Sequence, residues 1–348
     1  MYEQTMSSAT ATLQNLNPLI FTGETIAQIL ALTTVGDFNV RFDNATVDNT
    51  GQLTVPRSAE VVLVASSDAV QTTINTPVNA PVVIFQGKGG INVRIDDGPN
   101  VVVPAHGAGI TDRVVVGSDG TDRIVIGDTQ NTRISLGSGS SVVLTGGGED
   151  TVVAGLGNST VVGGSGHAIV QLKGNAADYT VSVQNGHAVV TGGVTHKSTD
   201  ISKIQYVQLD NGQALVFAND AKEASVSTLY HAAFGRDADA TGLEFWFNAS
   251  KAGASLENIA NSFIESNEYK AMAQQTDAEF LTGLYQHTFA RAGDAAGMDF
   301  WTKVLASGIS RASVLAGFIS DAGASLDGTA AHVEPIVVGS VTVVHNIV

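Results

Sequence analysis

Aspartates set beside glycine turns are the residues of this chain best suited to chemistry. Asp112, Asp122 and Asp150 each precede a Val/Ile run, and Asp237 and Asp239 stand with Thr241 in RDADATG. A hard cation takes six to eight oxygens, and a glycine turn exposes carbonyls beside a carboxylate, so these positions offer Ca2+ coordination. The ligand set allows a few sites at most. Asp119, Asp128 and Glu149 also lie in turns, where such side chains commonly bond their own backbone, so their oxygens alone do not argue for a metal. If units stack on alternate turns, Asp112 lies over Thr132, Asp122 over Val142 and Asp150 over Ala168, and no two aspartates meet.

Other chemistries lack their motifs. There is no cysteine, which removes disulfides, thiolate catalysis and thiolate zinc sites. GxSxG and HExxH are missing, and the 8 histidines lie apart, none at i, i+4. The GKGG turn at 87–90 follows the strand PVVIFQ but lacks the spacing of a phosphate loop. A carboxylate pair for sugar hydrolysis cannot be picked out of 33 acidic residues. The expectation is a protein that is not an enzyme. With 17 Lys+Arg against 33 Asp+Glu the net charge is -16, a surface that a nucleic acid repels.

The elements that would position these aspartates are strands. Of 348 residues 38 are glycine, and 43% are hydrophobic while 14% are charged, a balance that favours short Val/Ile/Thr strands joined by glycine turns. Between Gly107 and Val170 the chain repeats itself: TDRVVVGSDG, TDRIVIGDTQ, NTRISLGSGS, SVVLTGGGE, DTVVAGLGN, STVVGGSGH. Gly117, Gly127, Gly137, Gly146, Gly155 and Gly164 mark its period. Units this small cannot each bury an apolar face, so the pattern predicts a β-solenoid of parallel strands, with Val114, Ile124, Ile134, Val143, Val152 and Val161 stacked inside. The units resemble the nonapeptide repeats of the RTX β-roll, most closely in GSDGTDRIV and TGGGEDTVV. That resemblance implies calcium held between turns by the aspartate position, and export by type I secretion.

Four segments result: 1–80, a mixed β region with one short helix read in TGETIAQILALTT; 81–218, the solenoid with trailing hairpins about Asn185-Gly186 and Asn211-Gly212; 222–326, a helical domain; and 327–348, an apolar tail. The fold class is therefore mainly β, with flanking hairpins and a separate C-terminal all-α repeat domain. In the helical part, LYHAAFGRDADATGLEFW returns as LYQHTFARAGDAAGMDFW at an offset of 55 residues. Each unit reads as three helices, with Ser255 and Ser310 as caps of the third. This half resembles the DUF4214 family, a two-unit helical domain of bacterial exoproteins. Arg236 and Arg291 are read as partners of a loop carboxylate or helix end, with an anionic sugar or lipopolysaccharide phosphate as the other reading. Trp246 and Trp301 are read as core beside Phe245 and Phe300, on one apolar helix face.

The N-terminus lacks the pattern of a secretory signal peptide, and no run approaches the roughly 18 apolar residues of a membrane span. The tail VEPIVVGSVTVVHNIV carries three readings: a secretion signal, a strand donated to a neighbouring copy, or a last strand on its own β-domain. Together these features predict a secreted, non-catalytic bacterial protein of the cell surface or extracellular matrix that forms a homo-oligomer or polymer, such as an S-layer-like lattice or filament. An adhesin binding surface polysaccharide or lipopolysaccharide is the alternative, and a polysaccharide-active enzyme the second one.

Overall fold

The computed structural model describes residues 2–33, 39–54, 59–78, 80–96, 111–184, 187–193, 197–218, 221–236, 238, 240–272, 276–325, 336–338 and 341–344. The chain divides into two compact units, 1–211 and 212–348.

Unit one holds β1 (Tyr2–Thr5), α1 (Met6–Leu16), α2 (Gly23–Thr33), β2 (Asn39–Thr46), β3 (Val61–Ala65), β4 (Thr72–Val78), β5 (Val82–Gln86), β6 (Ile91–Ile95) and β7 (Arg113–Val116). It continues with β8 (Asp122–Ile126), β9 (Thr132–Ser135), β10 (Ser141–Leu144), β11 (Glu149–Val153), β12 (Ser159–Val162), β13 (His167–Leu172), β14 (Tyr179–Gln184), β15 (His187–Gly192), β16 (Lys197–Ser202) and β17 (Tyr206–Leu209). Successive strands from β3 to β13 fall alternately in two sheets. Within this unit sheet one runs β1-β2-β3-β5-β7-β9-β11-β13-β17, and sheet two runs β14-β15-β16-β12-β10-β8-β6-β4. Both are mixed: pairing is parallel through the body and antiparallel where β1 meets β2 and where β14, β15 and β16 pair. β3 and β4 already belong to the two sheets, so the alternating strands begin before residue 81.

Two apolar ladders fill the space between the sheets. In sheet two Ile74, Val93, Ile124, Val143, Val161 and Ile201 stand in register, none more than 4% exposed. In sheet one the register joins Val83, Val115, Ile134, Val152, Val170 and Val207, all buried. Burying each side chain stabilises the fold by about 1.5–3 kcal/mol. The sheet-one ladder corrects the expectation for Val114. Val114 pairs with Val82 and Arg133 and belongs to the opposite face, because the step from Arg113 to its partner Thr132 is one residue longer than the later steps. The glycine corners allow the turns to touch: a Cβ on Gly155 would run into the carbonyl of Gly137, and one on Gly157 into that of Gly139.

On its other face, sheet one is covered by helices. Ala9 and Leu13 of α1, with Ile26 and Ile29 of α2, pack in one cluster with Val61, Leu63, Val82, Ile84, Val114 and Val116. Two helices thus stand where the sequence pattern predicts one. α1 begins at Thr5, whose Oγ1 accepts the N–H of Ser8 at 3.4 Å, and its only buried residues are Ala9 and Leu13, one turn apart.

Unit two holds β18 (Ala214–Phe217), α3 (Ala221–Phe234), α4 (Ala240–Lys251), α5 (Leu256–Glu265), α6 (Asn267–Ala271), α7 (Asp277–Phe289), α8 (Ala295–Ala306), α9 (Arg311–Ser325), β19 (Ile336–Val338) and β20 (Val341–Val344). The duplication is visible in the ends of α3 and α7, at Phe234 and Phe289, and in the starts of α4 and α8, at Ala240 and Ala295. Ser255 and Ser310 cap as expected, accepting the N–H groups of Asn258 at 3.1 Å and Ser313 at 3.0 Å. In the apolar tail β20 pairs parallel with β18 and antiparallel with β19, all within unit two.

Equivalent helix ends differ in an instructive way. Gly235 (φ +66°) and Ala290 (φ +51°) both close their helices in the left-handed region. At Gly235 a Cβ would come within 2.6 Å of the His287 ring, which is held by a hydrogen bond from Nδ1 to the carbonyl of Ala232 at 3.0 Å. The residue equivalent to His287 in the first repeat is Ala232, so Ala290 meets no such ring. Ala290→Gly is therefore expected to raise stability by about 1 kcal/mol by relieving the left-handed strain. Gly235→Ala should lower it by more than that, and thermal unfolding of the two variants checks both signs.

Candidate functional site

The aspartates singled out by sequence turn to backbone N–H groups. Asp122 is 1% exposed. Its Oδ1 accepts from the N–H of Ile91 at 3.0 Å and the Ser118 hydroxyl at 2.5 Å, and its Oδ2 from the N–H of Ser118 at 2.8 Å. Asp150, also 1% exposed, repeats the device, with Oδ1 taking the N–H of Thr132 at 2.9 Å and Oδ2 that of Gly146 at 2.7 Å. In each case one oxygen closes the turn four residues back and the other ties the next strand of the sheet. Burial pushes both carboxyls up to about 6, outweighing the N–H donors that pull the other way.

Register places these residues differently from the expected stacking in two of three cases. Asp122 pairs with Ser141 rather than Val142, and Asp112 stands level with Asn131 rather than Thr132, because these early steps are one residue shorter than two ten-residue units; Asp150 pairs with Ala168 as expected. Asp112 Oδ2 accepts the N–H of Asn131 at 3.1 Å, and Asn131 Oδ1 accepts that of Glu149 at 2.8 Å, so these side chains climb the stack one turn per step. Asp119 likewise accepts the N–H and hydroxyl of Ser138 at 3.1 and 2.8 Å. Asp122 and Asp150 thus spend oxygens on donors of the fold, and their register partners Ser141 and Ala168 bring no second carboxylate beside them. Among the described residues no group of three or more His, Cys, Asp or Glu side chains is placed to hold a metal ion. Asp237 and Asp239 lie outside the described residues.

A buried ion pair escaped the sequence reading. Arg113, 1% exposed, donates from Nη1 and Nη2 to both oxygens of Asp128 at 2.8 Å and from Nη2 to Thr132 Oγ1 at 3.0 Å. Its charge also acts on Asp150, so Arg113, Asp128 and Asp150 form one electrostatic group inside unit one. The signal was parity. Arg113 lies two residues before Val115 and shares its inward face, whereas Arg123 lies between inward Asp122 and Ile124 and points out. Arg133 also points outward but is covered: it donates to Gln171 Oε1 at 2.9 Å and lies 3.1 Å from Glu24 of α2.

A shallow groove in unit one runs between residues near Ile20 and the turns around Leu136 and Leu156. Tyr179 on its wall donates to the carbonyl of Lys173 at 2.6 Å, and burial pushes its phenol up to about 12. At neutral pH that phenol is a hydrogen-bond donor and not a base.

In unit two each repeat builds the same aromatic nest. Phe263 meets Tyr230 at 5.2 Å and Trp246 at 4.9 Å; Phe318 meets Tyr285 at 5.0 Å and Trp301 at 5.7 Å. Residues 213–273 and 260–323 match the family described as Domain of unknown function (DUF4214). No curated protein and no solved structure matches the chain. In the DUF4214 domain Arg236 donates to Glu268 Oε1 at 2.7 Å and Tyr230 OH at 2.9 Å, so its carboxylate partner comes from a helix rather than a loop. Glu268 sits on α6, and its equivalent by the repeat is Gly323. Arg291 instead donates to the carbonyl of Ala292 at 3.1 Å and lies 3.9 Å from Asp294, with its guanidinium over Tyr285 and Phe289. Phe245 and Phe300, expected on an apolar face, stand 62% and 56% exposed, each edge-on to its half-buried Trp. Among the described residues no helix is long and apolar enough to cross a membrane.

Proposed function

We propose that this chain is a secreted, non-catalytic structural protein of the bacterial cell surface or matrix, which works by self-assembly on a β-solenoid body. The observation that carries the reading is the use of the turn carboxylates. Asp122 and Asp150 occupy the position that resembles the RTX aspartate, yet their oxygens tie strand to strand directly. The body is then a stiff, self-contained rod whose conspicuous polar groups hold the fold, and its activity lies in the surfaces it presents. The resemblance to RTX repeats supports export by type I secretion.

Light scattering on the full-length chain, with calcium and with chelator, tests this reading. The expected result is concentration-dependent assembly that survives chelation. A parallel chain ending at Gly328 assigns the tail: loss of assembly there makes β19 and β20 part of the contact. A strict monomer in every condition sinks the proposal.

The exposed Phe245 and Phe300 favour the second reading, an adhesin. Aromatic faces repeated at one position of each unit suit stacking on the sugar rings of a surface polysaccharide. A monomeric chain that binds polysaccharide and loses binding with both Phe residues changed to Ala would replace the first reading by this one.

A further inference from the structure

Sheet two presents an outward face with a pattern of its own. At one level across four adjacent strands stand Arg123 on β8, Val142 on β10, Thr160 on β12 and Asp200 on β16. Two residues further along, Leu144 on β10 pairs with Val162 on β12. Arg123 is exposed and Val142 is 37% exposed. The cationic and anionic ends of the row thus lie on either side of an apolar centre. That centre is also the middle of the sheet, since four strands lie on each side of the β10–β12 seam.

We propose that this face docks on the same face of a second copy of the chain, about a two-fold axis parallel to the strands and lying over the β10–β12 seam. The inference rests on the assembly reading above and names its surface. Rotation about that axis carries β8 over the partner's β16 and keeps the level along the strand. Each Arg123 then faces an Asp200, and Leu144 faces Val162. A two-fold axis across the strands would instead set β8 on β8 and bring the two Arg123 columns together, so the charges choose between the geometries. Asp200 keeps an oxygen for the contact, because His187 Nδ1 engages only Oδ1, at 3.1 Å.

The size of the face suits a second copy. Eight strands about 4.8 Å apart, each offering about four residues of 3.3 Å, make a face of about 500 Å² per copy and about 1,000 Å² per pair, at the lower bound of a specific interface. Growth within the sheet is disfavoured at the β4 edge, where Pro77 lacks an N–H and the register shifts between Ile74 and Val78.

Sedimentation of the full-length chain with Arg123→Asp, Asp200→Arg and the double variant tests the contact, with circular dichroism confirming that each is folded. A two-fold contact contains each charge pair twice. Each single variant is expected to raise the dimer dissociation constant about 100-fold, about tenfold per opposed pair, and the double variant to restore it to within about fivefold of the parent. If the parent assembles but ignores the single substitutions, or if the double variant is as weak as the singles, this contact is wrong while the assembly reading stands. A parent that is monomeric at every concentration overturns both.

Discussion

Arg113→Ala is expected to cost about 3–5 kcal/mol of unfolding free energy, the usual range when one partner of a buried ion pair is removed. The guanidinium holds both oxygens of Asp128, whose side chain is 5% exposed, so alanine leaves that carboxylate desolvated and unmatched. Thr132 loses a donor and Asp150 a neighbouring positive charge in the same step. For a unit of this size the loss corresponds to a fall of about 10 °C in the melting temperature. Replacing the pair together, Arg113→Met with Asp128→Leu, should cost much less, because no buried charge is then stranded. Urea unfolding of the two variants is the measurement. A single variant within about 1 kcal/mol of the parent would mean that the pair is not desolvated as the geometry requires.

Acid is expected to stabilise the chain across a defined window. Asp122 and Asp150 titrate at about 6 in the fold against an ordinary 3.8, with burial as the leading cause. Between those values the folded chain keeps protons that the unfolded chain has released. Unfolding free energy therefore falls as pH rises from about 4 to about 6 and levels off above about 7. At about 1.4 kcal/mol per unit, two groups raised by about two units amount to a change on the order of 5 kcal/mol. Asp150→Asn should roughly halve the slope and Asp122→Asn with Asp150→Asn should nearly flatten it; slope that survives in the double variant belongs to general repulsion among the acidic residues. Stability that rises with pH across this window would show that the N–H donors, and not burial, dominate these carboxyls.

What was legible in sequence is what periodicity carries. The repeating glycines mark the corners between strands, and the offset of 55 residues aligns α3 with α7 and α4 with α8 down to the serine caps. Parity was harder to read. One extra residue in an early turn reverses which side chains point inward, which is why Val114 was misplaced and why Arg113, Arg123 and Arg133 meet three different fates. The helix α1 was hidden because MSSATATLQNL carries few apolar side chains, and it is held by what Ala9 and Leu13 touch. For the turn aspartates, sequence supplies an oxygen but not the group facing it, and in Asp122 and Asp150 that group is an N–H.

The alternation of strands between two sheets also sets a unit of change for the chain. Partners in one sheet, such as Thr132, Asp150 and Ala168, stand eighteen residues apart. A gain or loss of eighteen residues in this stretch returns every later strand to its own sheet, with Val and Ile still facing in. A change of nine would send each of them to the opposite sheet, against partners built for the other side. Length variation here is therefore quantised in whole turns, in steps of two repeats at a time.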